Sequence, residues 1–225
     1  LFPYTTLFRS SSRSVYGEGK YRCPNCGCLY PSARDKEAMV KGDFHMYCEH
    51  CHSVLEVAPT TEDSLVHPTS LYAYTKLSQE KMFETMCPAL DLDYTIFRFQ
   101  NVYGSGQSLK NPYTGILSVF STLLLNHKPI NIFENGLESR DFIHVKDIAS
   151  GVIRSLCEDK SNREIINLGS GRDVSVIDIA RFLKKIYGSK SQIQVTGDFR
   201  IGDIAHNRAD IAKARDLLGL NHPYL

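Results

Sequence analysis

Two Cys-x2-Cys pairs, Cys23/Cys26 and Cys48/Cys51, separated by 21 residues, set the strongest constraint on how this 225-residue chain folds. Paired thiolates two residues apart form knuckles, and two knuckles at this spacing supply four sulfur ligands to one tetrahedral ion, as in a zinc ribbon. Residues 20–57, "KYRCPNCGCLYPSARDKEAMVKGDFHMYCEHCHSVLEV", therefore read as a module in their own right. A site closed by four thiolates keeps no open coordination position, so the zinc predicted here is structural rather than catalytic. Gly27 follows the first pair, where a tight knuckle turn needs backbone freedom. Cys28, His45, His50 and His52 lie nearby and read as bystanders. Cys87 and Cys157 stand apart from the cluster and read as small core residues. Clustered pairs inside a chain of this size argue for metal rather than for the disulfide framework of a small secreted domain.

Charge and hydropathy exclude several partners. With 26 Lys and Arg against 25 Asp and Glu, and no basic run, the chain shows no electrostatic footprint for nucleic acid. "ILSVFSTLLL" is the longest apolar run, well short of the roughly 18 residues that span a bilayer, and Ser118, Ser121 and Thr122 interrupt it. A soluble, cytoplasmic protein is the expectation. Leu1–Ser10, "LFPYTTLFRS", show neither helical nor strand periodicity and no signal-peptide pattern. They back-translate, codon for codon, into a common sequencing adapter. They are expected to be an artefact outside the fold, with the authentic protein starting upstream of Ser11.

Beyond the module, strands and helices alternate. "SLYAYTKLSQEKMFETMCPAL" has helical spacing with Pro88 near its end, and Tyr94–Phe99 reads as a buried strand entering a Gly-punctuated loop. "ILSVFSTLLLNH" is a second helix and "PINIFE" a short strand. "SRDFIHVKDIASGVIRSLCED" starts as a strand and becomes a helix; "EIINLGS" is a strand, "SVIDIARFLKKIYG" an amphipathic helix and "IQVT" a last strand. That order predicts an α/β fold with at least part of its sheet parallel.

Three fragments carry candidate chemistry. "SSRSVYG" places small hydroxyl residues after the end of a strand. In "YAYTK", Tyr72 and Lys76 are four residues apart, which puts both on one helix face. An ammonium beside a phenol favours the phenolate, which would make the tyrosine a general base nearer neutral pH. "FRFQNVYG" offers Asn101 at a strand exit. With "ESRDFIHVKDIA", "INLGSG" and "RIGDIAHNRADIAKARDLLG", these fragments, in this order, resemble the extended short-chain dehydrogenase/reductase family of nucleotide-sugar epimerases and dehydratases, from Ser11 to about Asn221. The resemblance implies the C-terminal portion of a Rossmann-like doubly wound sheet with a small substrate-binding lobe. It implies NAD as cofactor, with Ser12, Tyr72 and Lys76 catalytic, and Lys76 and Tyr72 also at the nicotinamide ribose. By the same likeness Asn101, Arg140, Arg200 and Asp203 hold the sugar nucleotide, and a guanidinium fork suits phosphate geometry. A homodimer is the family default.

Two departures from the family pattern shape the expectation. The family spaces its "VYG" tyrosine and its catalytic tyrosine much more closely than Tyr16 and Tyr72, which are 56 apart, and the surplus is the size of the 20–57 module. Sugar-nucleotide 4-epimerases, including those acting on dTDP-L-rhamnose, resemble this chain in carrying Cys-rich insertions after "VYGEG". The partial epimerase domain is thus expected over 11–19 and 58–225, with the zinc ribbon inserted. The family's glycine-rich dinucleotide turn is absent from the sequence, so the chain by itself is expected neither to retain NAD nor to catalyse. Similar dehydratases carry Asp-Glu after the serine, where this chain has Arg13 and Ser14, and similar decarboxylating enzymes carry a Glu there. The leading expectation is epimerisation at C4 through a 4-keto sugar. Another NAD-dependent sugar-nucleotide dehydratase or reductase, and a non-catalytic zinc-ribbon binding protein on the same fold, stay open.

Overall fold

The computed structural model describes residues 6–108, 115–157 and 159–220. Its centre is a parallel sheet of β1 (Thr6–Ser12), β5 (Asp93–Phe99) and β9 (Glu164–Leu168), in the order β1-β5-β9. In β5 every residue from Tyr94 to Arg98 is buried, as expected of a parallel strand covered on both faces. Successive side chains alternate between those faces. Tyr94 and Ile96 pack with Cys87 of α2 (Leu71–Ala89), while Phe97 packs with Ile143, Ile148, Ile166 and Leu168 and with Ala214 and Leu218 of α6 (Ala212–Leu218). Helices thus cover both faces of the sheet. Ile166 is fully buried between β5 and α6. Ile166→Ala is expected to lower unfolding free energy by about 2–5 kcal/mol in a urea titration, because the sheet cannot collapse into the space left.

A second lobe joins β6 (Asn101–Tyr103), α3 (Ile116–Leu125), β7 (Ile130–Ile132), β8 (Ser139–His144), β10 (Asp173–Ser175), α5 (Val176–Ile186) and β11 (Ile193–Val195). β8 pairs parallel with β6 and antiparallel with β10, and β7 pairs parallel with β11. Phe120, Leu124, Ile130, Ile132, Phe142 and Ile179 form its core. β8 runs directly into α4 (Val145–Cys157), which returns to the central sheet.

Residues 21–57 form a separate antiparallel sheet of β2 (Tyr21–Cys23), β3 (Gly27–Leu29) and β4 (Glu56–Val57), with the short helix α1 (Lys36–Val40) between β3 and β4. Gly17 turns the chain into this module at φ +61, and a Cβ there would lie 2.5 Å from the His67 carbonyl oxygen, so only glycine fits.

Two placements differ from the sequence reading. Thr6–Ser10, read as outside the fold, pair residue by residue with Asp93–Phe97 as the first part of β1; residues 1–5 lie outside the described residues. Strand pairing needs only backbone groups and a tolerable β propensity, and Leu7 and Phe8 supply the latter without alternation. β1 is an edge among the described residues, and Leu7 and Phe8 are exposed along it. Cys157 is exposed rather than a core residue, because α4 turns Ile148, Gly151 and Ser155 inward and Cys157 falls off that face; Cys87 is buried as expected.

Candidate active site and four-cysteine centre

β1 ends at Ser12, and a single 3-10 turn, Arg13–Tyr16, follows. The Ser12 hydroxyl accepts from the Ser14 amide at 3.2 Å, which caps that turn and holds the side chain at the strand's C-terminal end. Helix α2 starts opposite. Ser70 caps it by accepting from the Ala73 amide at 3.1 Å, so Tyr72 sits in the first turn and Lys76 one turn later on the same face. Tyr72 is 56% exposed. The Lys76 ammonium stands 5.7 Å from the centre of the Tyr72 ring and donates to the Ser10 carbonyl at 3.0 Å. Partial burial, with Arg9 as a like charge nearby, pulls the Lys76 ammonium below the ordinary lysine range.

Ser12, Tyr72 and Asn101 line one cleft of ≈ 400 Å³, together with Arg13, Gln100 and Gln107. Its wall offers hydroxyl, amide and guanidinium groups, which suits a polyhydroxylated ligand. The four remaining sequence candidates divide from these three. Lys76 is the neighbour of Tyr72 and does not line the cleft. Arg140, Arg200 and Asp203 form a second group, linked through residues 198–206. Arg140 donates to the carbonyls of Ser139 at 2.8 Å, Ala205 at 3.0 Å and Ile204 at 2.9 Å. Arg200 and Asp203 are exposed, joined by the Asp203 amide donating to the Arg200 carbonyl at 3.3 Å, and the Arg200 guanidinium lies 5.0 Å from the centre of the Phe133 ring.

Beneath Tyr72 and Lys76 lies a buried charged network that sequence reasoning missed. Glu80, 0% exposed, takes a two-pronged grip from Arg98, 2% exposed, at 3.1 and 2.8 Å. Ser11, next to Ser12, donates to the same carboxylate. Arg98 also donates to the Tyr16 hydroxyl at 2.9 Å, and that hydroxyl donates to Asn167 at 2.8 Å. Burial pushes Tyr16 up to about 12, which keeps it a neutral donor. A signal was present: Glu80 continues the four-residue series Tyr72, Lys76, Glu80, and an arginine inside the buried strand "IFRF" demands a partner.

In the Cys-rich module, Cys23, Cys26, Cys48 and Cys51 bring their sulfur atoms within 4.8 Å of one another. Cys23 and Cys48 are buried, while Cys26 and Cys51 face outward. Gly27 adopts φ +80 after the first pair. Hydrogen bonding from Ser53 and the neighbouring thiols pulls the Cys51 thiol down, and bonding to Cys51 and Cys48 pushes the Cys26 thiol up. Cys28, His45, His50 and His52 are outside the cluster among the described residues, and His45 instead contacts Asp43 at 2.8 Å.

The profile of the NAD dependent epimerase/dehydratase family matches residues 45–169. The chain belongs to that family. Among relatives of this epimerase-family chain, the dTDP-L-rhamnose 4-epimerase of Burkholderia thailandensis is 34% identical over 214 residues, covering 95% of this chain and 57% of its own length. The UDP-glucuronate 4-epimerase of Thermodesulfobacterium geofontis is 36% identical over 71% of this chain and 48% of its own. The family member thus spans about half the length of the curated relatives it matches. Among solved structures, UDP-glucose 4-epimerase from Thermotoga maritima, with UDP-glucose, superposes with a TM-score of 0.75 at 25% identity, over 96% of this chain and 57% of that one. UDP-glucuronic acid 4-epimerase from Bacillus cereus, in complex with UDP-glucuronic acid and NAD, gives 0.73 at 25% identity, over 98% and 57%. The Rossmann-like α/β fold of the epimerases is therefore the fold of this family member. No helix among the described residues is long and apolar enough to cross a membrane.

Proposed function

We propose that this chain carries the catalytic and sugar-nucleotide part of an NAD-dependent nucleotide-sugar 4-epimerase. The observation that carries the reading is the grouping of Ser12, Tyr72 and Asn101 around one cleft, with the Lys76 ammonium against the Tyr72 ring. In this reading the Tyr72 phenolate takes the proton from the sugar's C4 hydroxyl, and the positive Lys76 stabilises that phenolate before the transfer. The Ser12 hydroxyl and Asn101 hold the C4 oxygen and its neighbours, so that the 4-keto sugar stays oriented. Return of the proton from Tyr72 to the C4 oxygen, after the sugar turns in the cleft to offer its other face, restores the hydroxyl. NAD, when bound, would supply the acceptor for the C4 hydride and the same hydride for return to the opposite face of C4, which is what inverts the centre. Tyr72 and Lys76 fit its nicotinamide-ribose end, whereas no glycine-rich turn for a pyrophosphate occurs in this sequence. Arg140 and Arg200, with Asp203, are the residues proposed to meet the substrate's diphosphate and ribose. A homodimer through α2, with Met82, Met86 and Leu90 exposed one turn apart, is part of the same reading.

The test joins residues 11–225 to the glycine-rich N-terminal unit of a family relative and follows dTDP- and UDP-sugars by NMR. Inversion at C4 is expected. A product that has lost water, or a sugar that comes back unchanged, would reject the reading.

The four-cysteine centre is proposed as a structural zinc site. Four sulfurs at about 2.3 Å from one tetrahedral ion stand about 3.8 Å apart, and the Cys23–Cys51 separation of 3.4 Å is close to that. One zinc per chain is expected by mass spectrometry. Cys48→Ala is expected to release it and to unfold 20–57, since metal ligation supplies roughly 10–16 kcal/mol in comparable small sites. A Cys48→Ala chain that kept its zinc and its module would show that other groups bind the ion.

A further inference from the structure

The Cys-rich module is fastened to the segment that bears Arg200 and Asp203 by groups that zinc ligation alone would not require. Its core closes over Ala205, packed with Tyr21, Cys23, Met46, Cys48 and Leu55. The Tyr21 hydroxyl accepts from the His206 amide at 3.2 Å, and the Glu18 carboxylate, just before the module, accepts from the Ala205 amide at 3.1 Å. Phe44 of the module meets Phe199 with ring centres 6.4 Å apart. The central contact is Arg34. Its guanidinium grips Glu134 through both terminal nitrogens, one of them at 2.9 Å, and the two side chains are each 3% exposed. The same guanidinium donates to the Asp203 carbonyl at 2.9 Å.

These acceptors bracket Arg200 from both sides. Glu134 follows Phe133, whose ring lies under the Arg200 guanidinium, and the Glu134 amide donates to the Asp198 carbonyl at 2.7 Å. Asp203 closes the turn that begins at Arg200. Arg140 takes the carbonyls of Ile204 and Ala205 in the same segment. A planar guanidinium can bind a carboxylate side-on and still offer a donor to a carbonyl, which a lysine ammonium on a flexible stem does less rigidly.

We propose that Arg34, delivered by the Cys-rich module, is a positioning residue for the Arg140–Arg200 subsite, so that an intact four-cysteine centre and a nucleoside diphosphate bind cooperatively. The proposal rests on the reading of Arg140 and Arg200 as the nucleotide subsite and of the cysteines as a metal centre. Both terminal nitrogens of Arg34 are engaged, by Glu134, the Asp203 carbonyl and the Phe44 carbonyl, so it acts on the ligand through Arg200. Because coupling between two binding sites is reciprocal, a nucleoside diphosphate must tighten metal binding by the same factor by which the metal tightens nucleotide binding.

The experiment titrates UDP calorimetrically into the full chain and follows amide hydrogen exchange across 198–206. The variants are the double variant R34M/E134Q, which leaves no buried unpaired charge, and Arg34→Lys. Metal content is checked in each. The double variant, with its metal retained, is expected to bind UDP about tenfold more weakly and to exchange the Ala205 and His206 amides about tenfold faster, within the usual 5–150-fold range of such couplings. Arg34→Lys should recover part of the affinity, because the Glu134 contact returns without the second donor. UDP should raise the zinc affinity, read in an equilibrium competition with a chelator, by the factor by which removing the zinc weakens UDP binding. Unchanged affinity and exchange in the double variant would overturn the proposal. If the parent chain binds no UDP, the nucleotide reading of the subsite fails instead, and the exchange arm alone decides whether Arg34 holds the turn.

Discussion

Tyr72→Phe is expected to reduce C4 epimerisation by roughly 10²–10⁴-fold, the range spanned by a positioned general base. The substitution removes one oxygen and keeps the ring against which the Lys76 ammonium stands, so the cleft lined by Ser12, Asn101 and Gln100 retains its shape. The affinity for a UDP- or dTDP-sugar should therefore stay within a few-fold of the parent while turnover collapses. That split between turnover and binding distinguishes loss of a proton acceptor from loss of a binding wall. Measured by NMR on the fused enzyme, a Tyr72→Phe variant within threefold of the parent would remove Tyr72 from the chemistry.

Breaking the Glu80–Arg98 pair is the second large effect. Glu80→Ala or Arg98→Met alone should lower unfolding free energy by about 3–5 kcal/mol, because each leaves one buried charge without its counterion. Against the roughly 5–15 kcal/mol by which domains are stable, such a loss leaves little folded protein at 37 °C. Arg98 would forfeit three further contacts with its charge, namely the Tyr16 hydroxyl, the Glu62 carbonyl and the face of the Tyr16 ring at 4.7 Å. The double variant E80M/R98M should recover most of the loss, since a packed apolar pair of similar volume often replaces a buried ion pair at little cost. Urea titrations of the two single variants and the double decide this. Single variants that lose less than about 1 kcal/mol would place the pair among the weak surface type. The pair also fixes the approach of α2 to the strand ending in Ser12, through Ser11, so a surviving single variant should show reduced turnover as well.

How much of this site could be read in advance depends on how local each interaction is. Helix α2 begins and ends where "SLYAYTKLSQEKMFETMCPAL" suggests, because a capping serine and a four-residue face are recorded within a few turns of chain. The same holds for the buried run of β5 and for the two Cys-x2-Cys knuckles, whose sulfur atoms meet as their spacing implies. β1 left no such mark. Its hydrogen bonds come from β5, more than eighty residues away, and any tolerant stretch that meets that edge in register can take the place.

What the amino-acid sequence determined by itself was therefore the α/β order, the Tyr72–Lys76 face, and the metal-ready cysteine module. The tertiary structure alone decided which charges meet. Arg34 and Glu134 are 100 residues apart, and Arg140 spends its donors on carbonyls 64 and 65 positions away. Nothing in local periodicity encodes such partners, because a buried charge requires only that some counterion or carbonyl reach it, and the fold chooses which one. The same choice leaves Arg140, Arg200 and Asp203 out of the lining of the cleft that Ser12, Tyr72 and Asn101 share, and brings the Cys-rich module against the segment after Arg200 through Arg34 and Ala205.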